Sequence, residues 1–93
     1  MRIIGHIEHP HLKITVFKMD NRLSVKFENA GYEQTYKLGL DERLESFEDV
    51  QKLVDAAFTA QVLAQFQQMH QTRIAAYARA FPVDNQAFFE EII

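Results

Sequence analysis

Three histidines lie close together near the start of the chain, at His6, His9 and His11. Imidazole nitrogens bind Zn, Ni and Cu, so a cluster of this kind could form a metal site. A structural zinc site usually needs four converging ligands, however, and the chain contains no cysteine that could help to complete one. Strand alternation places His6 on a solvent-facing side and the other two histidines beside a turn at Pro10. We therefore expect solvated histidines, and no metal or other cofactor.

Acidic residues and serines are the next candidates for catalytic residues. A catalytic carboxylate needs a raised pKa or a specific partner in a cleft, whereas the carboxylates here fit the first turns and exposed faces of helices. Ser24 and Ser46 lie in no Gly-x-Ser-x-Gly context. The three glycines are too scattered to form a phosphate-binding loop. The sequence therefore predicts no catalytic residue and a protein that is not an enzyme.

Basic residues surround one aromatic residue on the exposed face of the N-terminal half, as alternation predicts it. The members of this face are Lys13, Phe17, Arg22, Lys26 and Lys37. Surfaces that stack single-stranded nucleic acid have a similar make-up, although three glutamates (Glu8, Glu28 and Glu33) share this face. The formal net charge is -3, whereas a general binder of polyanions carries a basic excess. Weak binding of single-stranded nucleic acid or of a small ligand is therefore the alternative function, and nucleic acid is not the expected partner.

Four short strands must position this face, because residues 2–38 alternate between apolar and polar side chains with turn signals in between. Asp20 and Asn21 suit a two-residue hairpin turn between the second and third strands. That turn fixes the register, since a shift by one residue would move every side chain to the other face. The predicted pairs are Val16 with Val25, Ile14 with Phe27, and Lys13 with Glu28.

Turns at His9-Pro10 and at Asn29-Ala30-Gly31 add one strand on each side of this hairpin. The predicted outer pairs are Ile7 with Leu12 and Ile3 with Val16. If Ala30 and Gly31 are the turn residues, Tyr36 pairs with Val25 and Leu38 with Leu23, whereas a four-residue turn would shift this register and keep both side chains on the apolar face. The result is a four-stranded antiparallel meander with one apolar face.

A long helix is predicted over residues 46–81, a stretch that has no glycine or proline and has apolar residues at helical spacing. Ser46 suits the N-cap, and Pro82 ends the helix. An unbroken helix of this length would span ~50 Å, more than the ~30 Å diameter of a compact domain of this size. Its apolar face also turns between the two halves, so that only the first half faces the sheet. Either the helix breaks near residues 59–62, or its second half packs on something else.

A second, short helix is predicted over residues 84–92, with Asp84 as its cap. Together with the second half of the long helix it forms a candidate interaction surface. The surface consists of Val62, Phe66, Met69, Tyr77, Phe81, Phe88 and Phe89. One short helix cannot cover so many apolar side chains, and a two-fold dimer would cover the rest. We therefore expect a homodimer and leave open a different protein partner.

Length and composition agree with a small globular protein. Ninety-three residues make one domain, residues 1–93, with 47% hydrophobic and 25% charged residues. No apolar run is long enough for a signal peptide or a membrane span, so we expect no membrane partner and a cytoplasmic protein. The predicted fold class is α+β: a four-stranded antiparallel meander (residues 2–38), a long helix (46–81) packed against it and a short C-terminal helix (84–92). The predicted function is that of a non-enzymatic interaction or scaffold domain which self-associates through the second half of its long helix.

Overall fold

A computed structural model describes residues 1–82 of the chain. The strands are β1 (Arg2–Ile7), β2 (Lys13–Met19), β3 (Arg22–Asn29) and β4 (Tyr32–Gly39), and the helices are α1 (Phe47–Leu53) and α2 (Ala56–Ala80). The strands form one antiparallel sheet in the order β1-β2-β3-β4. The predicted α+β fold, a four-stranded meander with a long helix, is confirmed. The predicted helix over residues 84–92, with Phe88 and Phe89, lies outside the described residues.

The central hairpin has the predicted register. Asp20, the first residue of the turn, has a φ of 55°, and Met19 pairs with Arg22 across it. All three predicted pairs between β2 and β3 are present. The inward side chains of this hairpin are almost fully buried and form the centre of the core: Ile14, Val16, Leu23, Val25 and Phe27.

The outer strands differ from the prediction in their register, and each outer pairing contains a β-bulge. Between β3 and β4, Tyr36 lies opposite Val25 as predicted, but Leu23 pairs with Gly39 and not with Leu38. An extra residue on β4 shifts the register at that point, so the predicted pair of Leu38 with Leu23 is wrong.

The second bulge lies in β1, between Ile3 and Gly5. The observed pairs are Ile3 with Phe17, Gly5 with Val16, and Ile7 with Ile14. The predicted pairs of Ile7 with Leu12 and of Ile3 with Val16 are therefore wrong. Because the bulge inserts one residue, Ile4 packs against the core while Ile3 is exposed on the opposite face.

The predicted long helix is interrupted at its seventh residue. Ser46 caps α1 as predicted, with its hydroxyl accepting from the Asp49 amide over 3.2 Å. The break follows at Val54, and the carboxylate of Asp55 then caps α2 by accepting from the Phe58 amide over 2.9 Å. The helix is continuous at residues 59–62, so the alternative of a break there is wrong in position. The break lies about five residues earlier because Asp55 provides an N-cap there, which lowers the free-energy cost of starting a new helix.

The interruption sets the direction of the apolar face of α2. Because α2 starts anew at Asp55, its rotation about its own axis no longer follows from α1. Val62 and Phe66 are 1% and 6% exposed and lie in the core with residues of the sheet. The Phe58 ring stacks on Phe27 at 5.4 Å between centroids, and the Gln34 amide donates to the main-chain oxygen of Val62 over 2.9 Å.

α2 extends well past the sheet. Its 25 residues span ~37 Å at 1.5 Å per residue, and every residue of α2 from His70 onwards is exposed. The described part of the chain measures 58 × 24 × 18 Å. The helix ends before Pro82, as predicted, where the Phe81 amide donates to the oxygen of Tyr77 over 2.9 Å. No helix among residues 1–82 is both long and apolar enough to cross a membrane.

Candidate functional site

α2 leaves the sheet at Tyr32, near the start of β4. The Tyr32 hydroxyl and Nδ1 of His70 share a hydrogen bond of 2.9 Å, and the two rings meet edge to face. One turn later the Arg73 guanidinium lies 5.9 Å from the Tyr32 ring centroid and 5.4 Å from that of Tyr77. Polar interaction with Tyr77, and then with Tyr32, raises the pKa of Arg73. The guanidinium is charged at neutral pH in any case, so a positive charge lies where the helix leaves the sheet.

Beyond this point, residues 71–80 form what we call the projecting half of α2. Its large apolar side chains are half exposed: Ile74 is 54%, Tyr77 is 51% and the adjoining Phe81 is 50% exposed. With 100° per residue and Phe66 at zero, these three side chains lie at about 80°, 20° and 60°. The apolar stripe that the sheet covers at Phe66 thus continues along the projecting half, where no described residue covers it.

The structure divides the predicted interaction surface into three groups. Val62 and Phe66 are buried in the core of their own chain, and Met69 is half buried against it. Tyr77 and Phe81 are exposed, and Phe88 and Phe89 lie outside the described residues. The first group was assigned to an outside partner because an unbroken helix would have turned it away from the sheet. The break at Asp55 removes that rotation, so the accessible surface is smaller than predicted.

Charge is distributed unevenly between the two helices. α2 contains no acidic residue, and its arginines, Arg73 and Arg79, are both in the projecting half. Acidic residues instead cluster in the segment 41–55, which contains α1 and both helix N-caps. Arg73 therefore borders the apolar stripe of the projecting half, whereas Arg79, at about 220° on the same scale, lies on the opposite side of the helix.

The outward face of the sheet forms a second candidate site. It has a broad depression of about 810 Å³ beside Phe17, near the end of the sheet that carries the Asp20-Asn21 turn. Four of the five predicted face residues line it: Phe17, Arg22, Lys26 and Lys37. Lys13 lies at the other end of the face and does not line this depression.

Lys26 is the most constrained of the basic side chains on this face. Its ammonium group lies 5.3 Å from the centroid of the Phe17 ring and forms ion pairs with Glu28 at 3.6 Å and Glu33 at 3.9 Å. The negative charges of Glu28 and Glu33 thus offset the positive charge of Lys26. Within residues 1–82, Arg22 and Lys37 form no ion pair.

The three histidines of β1 and the following turn do not converge. The His11 amide donates to Nδ1 of His9 over 3.1 Å, while Nδ1 of His6 lies 3.4 Å from the Thr15 hydroxyl oxygen. Among the described residues, no three His, Asp or Glu side chains lie close enough to hold a metal ion. The fourth histidine, His70, bonds to Tyr32 as described above.

Comparisons with models of protein families, with curated proteins and with solved structures found no match to this chain.

Proposed function

We propose that this chain is a non-enzymatic interaction domain that forms a homodimer through the projecting half of α2. One observation carries the proposal: the apolar stripe buried at Val62 and Phe66 continues past the sheet, where Ile74, Tyr77 and Phe81 are half exposed. Continuous apolar patches of this kind are uncommon on proteins that stay monomeric.

A second copy of the chain suits this surface for a geometric reason. In a two-fold dimer the same patch is used twice, so each projecting half covers the stripe of the other. Alanines flank the stripe, and such small residues allow two helices to approach closely. They are Ala78 and Ala80, at about 120° and 320° on the same scale.

Charge favours an antiparallel pair. A parallel arrangement would place Arg73, which borders the stripe, level with Arg73 of the other copy, which costs free energy through like-charge repulsion. An antiparallel arrangement centred near Tyr77 moves the two Arg73 side chains about 12 Å apart along the helix axis. The exposed aromatic ring of Tyr77 then meets its own symmetry mate.

Single-cysteine cross-linking tests this arrangement, since the chain has no native cysteine. Under mild oxidation, Tyr77→Cys should form a disulfide-linked dimer, because residues at the two-fold axis come within the 4.4–6.8 Å between Cα atoms that a disulfide requires. Gln68→Cys is the matched control, since it lies on the exposed opposite side of the same helix, about 200° from Phe66. Equal cross-linking of both variants would reveal random collision and would overturn the proposal.

A further inference from the structure

Four residues form a line across the outward face of the sheet, which we call the Phe17 row. Phe17 lies opposite Ile3 on one side and opposite Ser24 on the other, and Ser24 lies opposite Lys37. Facing residues in a sheet are about 5 Å apart, so the row is roughly 15 Å long. Along it the side chains change from aliphatic through aromatic and hydroxyl to ammonium. This gradient is a recognition pattern for a molecule with an apolar body and a charged end.

Two further apolar side chains extend the surface beside Phe17. Met1 and Met19 are exposed and line the same depression, whereas Ile3 does not line it. Its volume of about 810 Å³ falls within the range that small-molecule sites usually have. An alkyl chain or a small ring could therefore exchange water for apolar contacts here, which is favourable in proportion to the area covered.

The polar end is suited to an anion. Ser24 lies between Arg22 and Lys26 along β3 and opposite Lys37 on β4, so one hydroxyl is surrounded by three cationic side chains. Asp20 and Glu33 also line the depression, which leaves an excess of positive charge. Since Glu28 and Glu33 hold Lys26, the guanidinium of Arg22 and the ammonium of Lys37 are the groups that can bind a carboxylate or sulfonate.

Single-stranded nucleic acid fits this face less well. Binders of single strands combine a continuous basic groove with several aromatic platforms. Among residues 1–82, Phe17 is the one aromatic residue that lines the depression, so a single strand would have one stacking platform at most. We infer that the depression along the Phe17 row binds a small organic anion, with its apolar body against Phe17, Met1 and Met19 and its charged group between Ser24, Arg22 and Lys37.

Isothermal titration with decanoate, below its micellar concentration, tests the inference. Saturable binding with one site per chain is expected, and Lys37→Glu should weaken it by about tenfold or more, because the variant replaces an attraction with a repulsion. Lys13→Glu is the matched control, since it makes the same charge change on the same face outside the depression. Decan-1-ol, which has the same chain without the charge, should bind at least about tenfold more weakly.

Several results would overturn the inference: no saturable binding of decanoate, an equal loss in Lys13→Glu, or tighter binding of a single-stranded oligothymidylate than of decanoate. The site is independent of the proposed dimer, so Tyr77→Glu should bind decanoate as the unmodified chain does. A loss of binding in Tyr77→Glu would place the ligand on α2 and would also overturn the inference.

Discussion

The hydroxyl of Tyr32 lies 2.9 Å from Nδ1 of His70, and at this hydrogen bond α2 leaves the sheet. Val62 and Phe66 precede this point and are buried, whereas Ile74 and Tyr77 follow it and are half exposed. All four belong to one apolar stripe of the helix. The exposure of the last two therefore results from the limited width of the sheet.

Phe66 and Tyr77 should consequently differ in what they contribute to stability. Phe66→Ala leaves a cavity between α2 and the sheet and should lower the free energy of unfolding by about 3–5 kcal/mol. Tyr77→Ala removes a side chain that is 51% exposed and that contacts Arg73 and Phe81 among the described residues, so it should cost less than about 1 kcal/mol. Urea unfolding at low protein concentration, where association contributes least, measures both values. Similar losses in the two variants would mean that the projecting half is covered within its own chain.

The N-cap of α2 offers a second test, because Asp55 is where the helix starts again after the break. Asp55→Ala removes the acceptor of the Phe58 amide and should cost about 1 kcal/mol of stability. Asp55→Asn keeps a side-chain oxygen in the same place, so its cost should be clearly smaller. If both substitutions had no effect on urea unfolding, the capping interaction would not hold α2 in place.

Gly5 and Phe47 lie so close together that no side chain fits between them. A Cβ atom on Gly5 would come within 2.6 Å of Cδ1 of Phe47. Carbon atoms that are not bonded do not approach so closely, so the backbone at Gly5 or the ring of Phe47 would have to move. Gly5→Ala should therefore destabilise the fold by about 1–3 kcal/mol. In Phe47→Ala the ring is gone, so the same Gly5→Ala change should then cost much less. A double-mutant cycle from urea unfolding gives the coupling, and strictly additive effects would contradict the close contact.

The pH dependence of stability should reveal the ion pair between Asp41 and Arg43. Side-chain hydrogen bonds from Arg43 at 2.8 and 3.0 Å, and then a bond from its backbone amide at 2.9 Å, lower the pKa of Asp41 from 3.8 to about 2. A carboxyl with a lower pKa in the folded state stabilises the fold above its unfolded pKa, and this contribution is lost as the pH falls through the folded value.

Thermal unfolding of the unmodified chain and of Asp41→Asn measures this effect. The difference between their midpoints should be constant above a pH of about 4 and should disappear towards pH 2. A difference that is unchanged down to pH 2 would show that the Asp41 carboxylate is not stabilised in the folded state. Asp49 has a lowered pKa as well, through the Glu45 amide first and then the Ser46 side chain, but it is common to both proteins and cancels.

The central hairpin could be predicted from sequence because two independent signals agree there. Strict alternation marks the buried side of each strand, and Asp20-Asn21 sets the turn, so one register satisfies both. The first strand has no comparable signal. Ile3 and Ile4 are adjacent apolar residues, and either can face the core. The fit of Gly5 beneath the ring of Phe47 accompanies the bulge, and it depends on a residue more than forty positions away.

The helix break is difficult to predict from the sequence, because Asp55 fits the helical pattern as an ordinary exposed residue. An aspartate followed by two alanines and a phenylalanine is also a suitable N-cap, and only this signal indicated a second helix start. A helix without this second start has a different rotation after residue 55. The predicted apolar face of α2 is then turned away from the sheet, so that Val62 and Phe66 are predicted to contact an outside partner. The Phe17 row depends on the same kind of detail, because the bulge in β1 is what places Ile3 beside Phe17.

Light scattering on the unmodified chain over a range of concentrations tests self-association through the projecting half of α2. We expect a mass that rises from 10.9 kDa towards twice that value with increasing concentration. Tyr77→Glu should stay at 10.9 kDa with its fold intact, since a buried, unpaired charge opposes the interface, while Gln68→Glu should associate normally. A mass of 10.9 kDa for the unmodified chain up to high micromolar concentration would contradict the account.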